Sequence, residues 1–382
     1  MSVRLVVAGL VLLCARGTSA QDLDGYASVM FDVVPDQSAA ELRTRVFAER
    51  RFEIGERVRV TAAGFAEGLI GERGRHDAST AGLLRPQELH AEFVWPVADL
   101  RIGLSRVVWG RLDEFLPTDV VNPLDLTKFF LEGRAEGRMP VAMVRARLLP
   151  SDRFSIEALY LPVFRRGRFD QLGEDTSPFN LAPAPVVSNE PPRTWRNAQG
   201  GIRVNATIGR VDWSVSTFRG LESFPAYEVA DLFFVERFPR FTMIGVDFET
   251  VHGVWGVRGE GAFREDRFET GVGVDRTAGE YRVATSFIVA HQEASPLVPV
   301  NTDTSLLVSI DRSFAQETRR LRVFAVYNPA DESTFGRVIA SVSLRDNVAL
   351  EASGGVFAGS GNDALSQLRT RDFAYVQLKA FF

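Results

Sequence analysis

Cysteine, lysine, histidine and long apolar runs are all scarce in this chain, and each shortage removes a class of function. The single cysteine, Cys14, sits in an N-terminal stretch with Arg4 near its start, an apolar run from Leu5 and the small residues Thr18, Ser19 and Ala20 at its end. That pattern predicts a secretory signal peptide over residues 1–20, cleaved and outside the fold. Val11-Leu12-Leu13 lacks the small residues expected ahead of a lipidated cysteine. The mature chain, residues 21–382, then holds no thiol, which excludes disulfides, thiol catalysis and thiolate metal sites.

Lysine occurs only at Lys128 and Lys379, so the basic charge is almost wholly arginine, a planar cation suited to carboxylates, phosphates and aromatic faces. The formal net charge is −5, and losing Arg4 and Arg16 with the leader makes it more negative, which argues against a nucleic-acid partner. His76, His90, His252 and His291 are scattered without metal-ligand spacing. Beyond the leader no run approaches the roughly 18 apolar residues of a membrane-spanning helix. Nor is there a G-x-S-x-G elbow, an H-E-x-x-H pair or a Walker loop, so neither an enzyme nor a cofactor is expected. His90 near Glu92 is the one His–acid pair of note, and a solvated surface accounts for it.

What the chain has in abundance is period-two alternation. Ile202, Val204 and Ala206 oppose Arg203, Asn205 and Thr207, and after Gly209-Arg210 the pattern resumes with Val211, Trp213 and Val215 against Asp212, Ser214 and Ser216. Such a pair is a tight hairpin of two-faced strands. Repeated along the chain, this predicts about eighteen strands, sixteen being the nearest alternative. Short turns at 53–55, 97–98, 150–152, 209–210, 251–252, 276–279, 314–317 and 346–347 alternate with longer connections at 70–86, 109–138, 165–194, 220–238, 292–302 and 359–369. Briefer ones fall at 34–41, 265–266 and 329–333. Short turns on one rim and long loops on the other fit a closed antiparallel transmembrane β-barrel, with both termini on the short-turn side.

The two faces agree with this. Leu89, Ala91, Phe93 and Trp95, then Phe154, Ile156, Ala158 and Tyr160, then Tyr281, Val283, Thr285, Phe287 and Val289, then Leu321, Val323, Ala325 and Tyr327 make apolar faces for lipid. Their aromatic ends form girdles at the two interfaces. The other faces carry Arg43, Arg45, Arg57, Arg59, Arg145, Arg147, Arg258 and Arg282, which are expected to line a pore. A soluble sandwich or propeller also alternates, but it would put its apolar faces inward. So many charges on the opposite face need water, because burying an unpaired charge costs several kcal/mol.

One segment interrupts the pattern. Residues 106–139 hold Asp113, Asp119 and Asp125 at six-residue spacing, the pair Asn122-Pro123, Phe129-Phe130, and Arg134 and Arg138 around Glu136. This is the third external loop, and its aromatics and paired charges predict that it folds inward over 109–138 to constrict the pore. Its aspartates would face the wall arginines. Pro123 fixes φ beside Asn122, which makes a defined turn that can open a short helix from Leu124.

Two resemblances sharpen the reading. The alternation of Ala374, Val376, Leu378 and Ala380 down to Phe382 resembles the C-terminal recognition strand of bacterial outer-membrane proteins, which implies the barrel-assembly machinery as a partner. Trp109-Gly110, with Asp113, Asp119 and Asn122-Pro123-Leu124-Asp125, resembles a broad set of porin-like outer-membrane barrels that includes alginate-export-type proteins. That likeness implies an outer-membrane location among lipid and a channel for small hydrophilic solutes, anions favoured if the arginine stripe faces water. The alternative it leaves open is an exporter of an anionic polysaccharide. A barrel-embedded enzyme or a purely structural barrel ranks behind both.

Overall fold

Among the described residues three short strands make a small separate sheet, and eighteen others make the barrel in chain order, each antiparallel to the next. They are β1 (Leu23–Val34), β2 (Ala39–Ile54), β3 (Val58–Arg73), β4 (His76–Trp95), β5 (Ala98–Ser105) and β6 (Val141–Ser151). Next come β7 (Phe154–Leu161), β8 (Gln199–Ile208), β9 (Val211–Leu221), β10 (Arg240–His252), β11 (Trp255–Phe263) and β12 (Arg267–Ala278). The last six are β13 (Tyr281–Gln292), β14 (Asn301–Phe314), β15 (Arg319–Asn328), β16 (Ser333–Arg345), β17 (Val348–Ala358) and β18 (Phe373–Phe381). This is a computed structural model, and it describes residues 23–74, 76–230, 232–293 and 301–382; the signal peptide expected over residues 1–20 lies outside them.

The sheet closes on itself. β1 pairs with β18 from Tyr26 opposite Phe381 to Val33 opposite Ala374, and Gly25 and Phe382 exchange backbone hydrogen bonds of 3.1 Å beyond the last pair. Closure leaves no edge strand and satisfies every ladder within the sheet, which a strand in hydrocarbon requires. Residues assigned to lipid do point outward: Leu89, Phe154, Val283, Phe287, Leu321 and Val323 are all exposed on the exterior. Trp95 and Tyr281 stand at strand ends on the short-turn rim, while Tyr160 and Tyr327 stand at ends on the long-loop rim. An aromatic belt therefore exists at both interfaces.

Two expectations need correction. The stretch 70–86 is not a long loop: β3 runs to Arg73 and β4 starts at His76, in a hairpin whose register shifts between Ala63 and Gly64 and again between Gly71 and Arg73. Nor is the inward face simply a wall of solvated charge. Toward the long-loop rim it is largely apolar, and it holds the core. One cluster joins Met30, Ile288, Leu307, Phe335, Phe357 and Phe373 to Leu131 and Phe179 from two connections. A second joins Met143, Leu161, Phe218 and Met243 to Val107, Trp109 and Val121.

Candidate functional site

The connection 106–140 is closed at its neck by one side chain. Asn122 accepts from the Val107 amide at 2.8 Å and donates to the carbonyls of Ser105 at 3.3 Å and Met139 at 2.8 Å, so the outgoing and returning chains are tied together. Asp125 then caps the helix α1 (Leu126–Glu132), its carboxylate accepting from the Lys128 amide. Gly133, at φ 96, ends that helix and turns the chain into the single turn α2 (Arg134–Gly137). A left-handed φ of this kind favours glycine.

Glu132 ends α1 between two wall arginines. Its carboxylate accepts from Arg43 at 2.8 Å and from Arg45 at 2.6 and 2.7 Å. The network continues along the wall, because Arg45 also bonds Glu67 at 2.7 Å, Arg43 bonds Glu41 at 2.7 Å, and Glu41 accepts from Arg73 at 2.8 Å. Lys128 Nζ completes it, 3.3 Å from Glu67 and 4.1 Å above the Phe65 ring. Burial opposes the charge of Glu132, but Arg45 and Arg43 outweigh it and hold the carboxyl well below its ordinary range. Burial, with Arg45 beside it, pushes Lys128 down to about 8.

The other wall grips the same connection. Arg337 of β16 donates to the carbonyls of Phe130 and Leu131. Glu260 of β11 accepts from the amides of Arg111 at 2.9 Å, Leu112 at 3.2 Å and Thr118 at 2.7 Å, and from the Thr118 hydroxyl at 2.8 Å. Gly110 explains why a glycine follows Trp109: at φ 94 a Cβ would stand 2.4 Å from that Glu260 carboxylate. The Trp109 indole, fully buried, donates to Glu157 at 2.8 Å and meets Phe218 edge-on. Glu114 pairs with Arg322 of β15.

The residues singled out from sequence fall into three groups. Arg43 and Arg45 face inward but are buried in the Glu132 network. Arg145 pairs with Glu157, and Arg147 with Asp99 at 2.6 Å, so these four do not form an open basic stripe. Arg57 lies in the turn after β2, and Arg59 sits near the short-turn rim, 3.7 Å from Glu53. Arg258 and Arg282 converge on Asp113 at 2.7 and 3.0 Å, and both also reach Asp275, with Glu249 a further partner of Arg258 at 2.9 Å. Asp119 instead pairs within its own loop, with Arg134 at 3.1 Å and with Arg138, and Asp125 caps α1. His90 contacts Ser105 and Glu88 rather than Glu92, which pairs with Arg101.

The connection expected at 165–194 runs over 162–198, and sequence reasoning missed that it packs against the first. Its backbone runs beside the first, with the Leu126 amide donating to Arg168 O at 2.8 Å and the Arg168 amide to Leu124 O at 2.9 Å. Phe179 stacks on Phe130 at 4.8 Å, and Asp170 pairs with Arg73. The signal for it was Phe164, Phe169 and Phe179 in a stretch otherwise rich in proline and arginine.

A closed barrel with an apolar exterior, aromatic belts and charged groups confined to its interior and rims is a porin-like β-barrel of the bacterial outer membrane. Within that class the chain belongs to the family described as "Protein of unknown function (DUF1302)", whose profile matches residues 95–304. No curated protein matches the sequence. Among solved structures it is similar to Pseudomonas aeruginosa OccK7 (OpdD), with TM-score 0.57, 10% identity and coverage of 94% of this chain and 98% of that one. Pseudomonas aeruginosa OccK5 (OpdH) gives TM-score 0.57, 10% identity, 94% and 96%. Acinetobacter baumannii OccAB4 gives TM-score 0.54, 9% identity, 96% and 99%. At such identity the likeness is one of fold.

Proposed function

We propose that the barrel is a porin-like channel for passive diffusion of small hydrophilic solutes, with the connection 106–140 as its constriction loop. The observation that carries this reading is the set of clasps on that connection. Its carboxylates, amides and carbonyls are bonded to inward side chains of β2, β11, β13, β15 and β16, so it stands in the path of anything crossing the barrel. A merely structural barrel of this width has no need of such a device.

Selectivity follows from which charges meet water. Arg43 and Arg45 are spent on Glu132, Glu41 and Glu67, whereas the side chains of Arg258, Arg282 and Asp113 keep 20%, 33% and 32% exposure. We assign a modest anion preference to Arg258, Arg282 and Arg59, with Asp113, Asp275 and Glu249 muting the first two. An exporter of anionic polysaccharide would need an open arginine track, and the clasped arginines favour the small-solute reading over it. Insertion through the barrel-assembly machinery, reading the strand that ends at Phe382, belongs to the same proposal.

The test is conductance of the full-length mature protein in planar bilayers. Small unit steps are expected, and deletion of residues 112–136 should enlarge them while the folded barrel still shifts on an unboiled gel. A folded protein that does not conduct, or a deletion that leaves the steps unchanged, rejects the reading.

A further inference from the structure

Most arginines that line the lumen have a carboxylate partner, but on the connection 162–198 Arg165 and Arg193 have none within ion-pair distance among the described residues. Arg165 donates to the Pro140 carbonyl and to nothing else described. Both line a cavity of 530 Å³ at the long-loop rim, together with Arg168, and the acids there are Glu174 and Glu190. Glu174 is already shared, 3.3 Å from Arg168 and 3.5 Å from Arg166. Positive charge is therefore in excess, and burial together with Arg85, Arg168 and Arg193 pushes Arg165 down to about 10.

The floor of this cavity says what kind of anion it suits. Leu104 and Ala142 are cross-strand partners on β5 and β6. They share the outward face with exposed Ile102, whereas Ser105 and Val141 of the same strands are buried inside. The cavity thus joins an arginine wall, supplied by the connection 162–198, to the top of the lipid-facing surface.

We propose that it takes the phosphate group of an anionic lipid of the outer leaflet, with Arg165, Arg168 and Arg193 bonding phosphate oxygens while an acyl chain lies along Leu104 and Ala142. Guanidinium groups pair with phosphate through parallel N–H···O bonds, and neutralising the repulsion among these arginines adds to the gain. The apolar floor distinguishes a lipid from free phosphate, which would touch the arginines alone. This site needs only that the barrel sits in a membrane, whatever passes through its pore.

Native mass spectrometry of the mature protein in non-ionic detergent tests it, with phosphatidic acid, diacylglycerol of the same chains and inorganic phosphate as probes. Phosphatidic acid should bind one per barrel, with diacylglycerol and inorganic phosphate each about tenfold weaker or more. R165Q/R193Q should lose about tenfold in phosphatidic acid affinity, and Leu104→Asn should weaken the lipid without changing inorganic phosphate. Should the double variant fail to fold, R193Q, on an exposed side chain, should still lose severalfold. Absent phosphatidic acid binding, or binding unchanged by the arginine substitutions, overturns the site. Inorganic phosphate binding as tightly as the lipid would make it a free-anion site and overturn the lipid assignment.

Discussion

Replacing Glu132 by glutamine keeps the shape of the clasp and removes its charge. The side chains of Arg43, Arg45 and Glu132 keep only 3%, 2% and 7% exposure, so water cannot take over the lost pairing. Glu41 and Glu67 would remain for Arg43 and Arg45, but Lys128 and Arg73 already draw on the same two carboxylates. Breaking a buried pair from one side costs about 3–5 kcal/mol. The eighteen-strand ladder does not depend on Glu132, so the cost falls on docking of the connection rather than on the barrel. At about 1.4 kcal/mol per power of ten, docking should weaken by roughly two to three and a half orders of magnitude. Hydrogen exchange reads this directly: the amides of Phe129 and Gly133, bonded within α1, should lose protection while those of β2 and β16 keep theirs. Unchanged protection over residues 126–138 would refute the idea that the charge network holds the loop.

Other expectations rest on separate contacts. Glu260→Gln should loosen residues 111–118 by about 1–3 kcal/mol, because several donors share that carboxylate, and single-channel records should show added flicker. Trp109→Ala should cost about 3–5 kcal/mol in urea unfolding by emptying a fully buried site beside Phe218. Arg258 and Arg282 changed together to glutamine should move the reversal potential toward cations at low salt, and Arg43→Gln, whose charge is already neutralised, should move it far less. Lys128, pushed down to about 8, binds its proton less tightly when the loop is docked than when it is free. Docking should therefore strengthen as pH rises from about 8 toward the ordinary lysine range, and protection of the α1 amides followed over pH 7–10 checks the sign.

Much of this was legible in the sequence because a strand between lipid and lumen must alternate, and alternation needs no knowledge of its partner. The strand number, the outward sets around Leu89, Tyr281 and Leu321, and the aromatic ends follow from that alone. The hairpin at 70–86 was misread because Gly71, Gly74 and Gly82 look like loop residues, whereas Gly71 and Gly82 lie within β3 and β4 and Gly74 stands in the turn after β3. The residues of the connection 106–140 were legible as a group but not as pairs. Asp113, Asp119 and Asp125 have equal spacing and three different tasks, since which arginine each meets depends on how the connection folds back on Asn122. The partners of Glu132 and Glu260 could not be read for a related reason: a lone glutamate beside an aromatic pair or in a strand looks like any other until the opposite wall is in place.

The grip of Arg337 on the Leu131 carbonyl joins residues 206 positions apart, across most of the chain. Contacts so distant cannot form until β16 has been made and laid beside its neighbours, so the loop must wait unanchored on that side while the wall grows around it. The seam between β1 and β18 lies between the two sets of clasps, with Arg43 on one flank and Arg337 on the other. Seating the loop therefore fastens the two ends of the chain from within, and a barrel that has not closed has nothing for the loop to seat against.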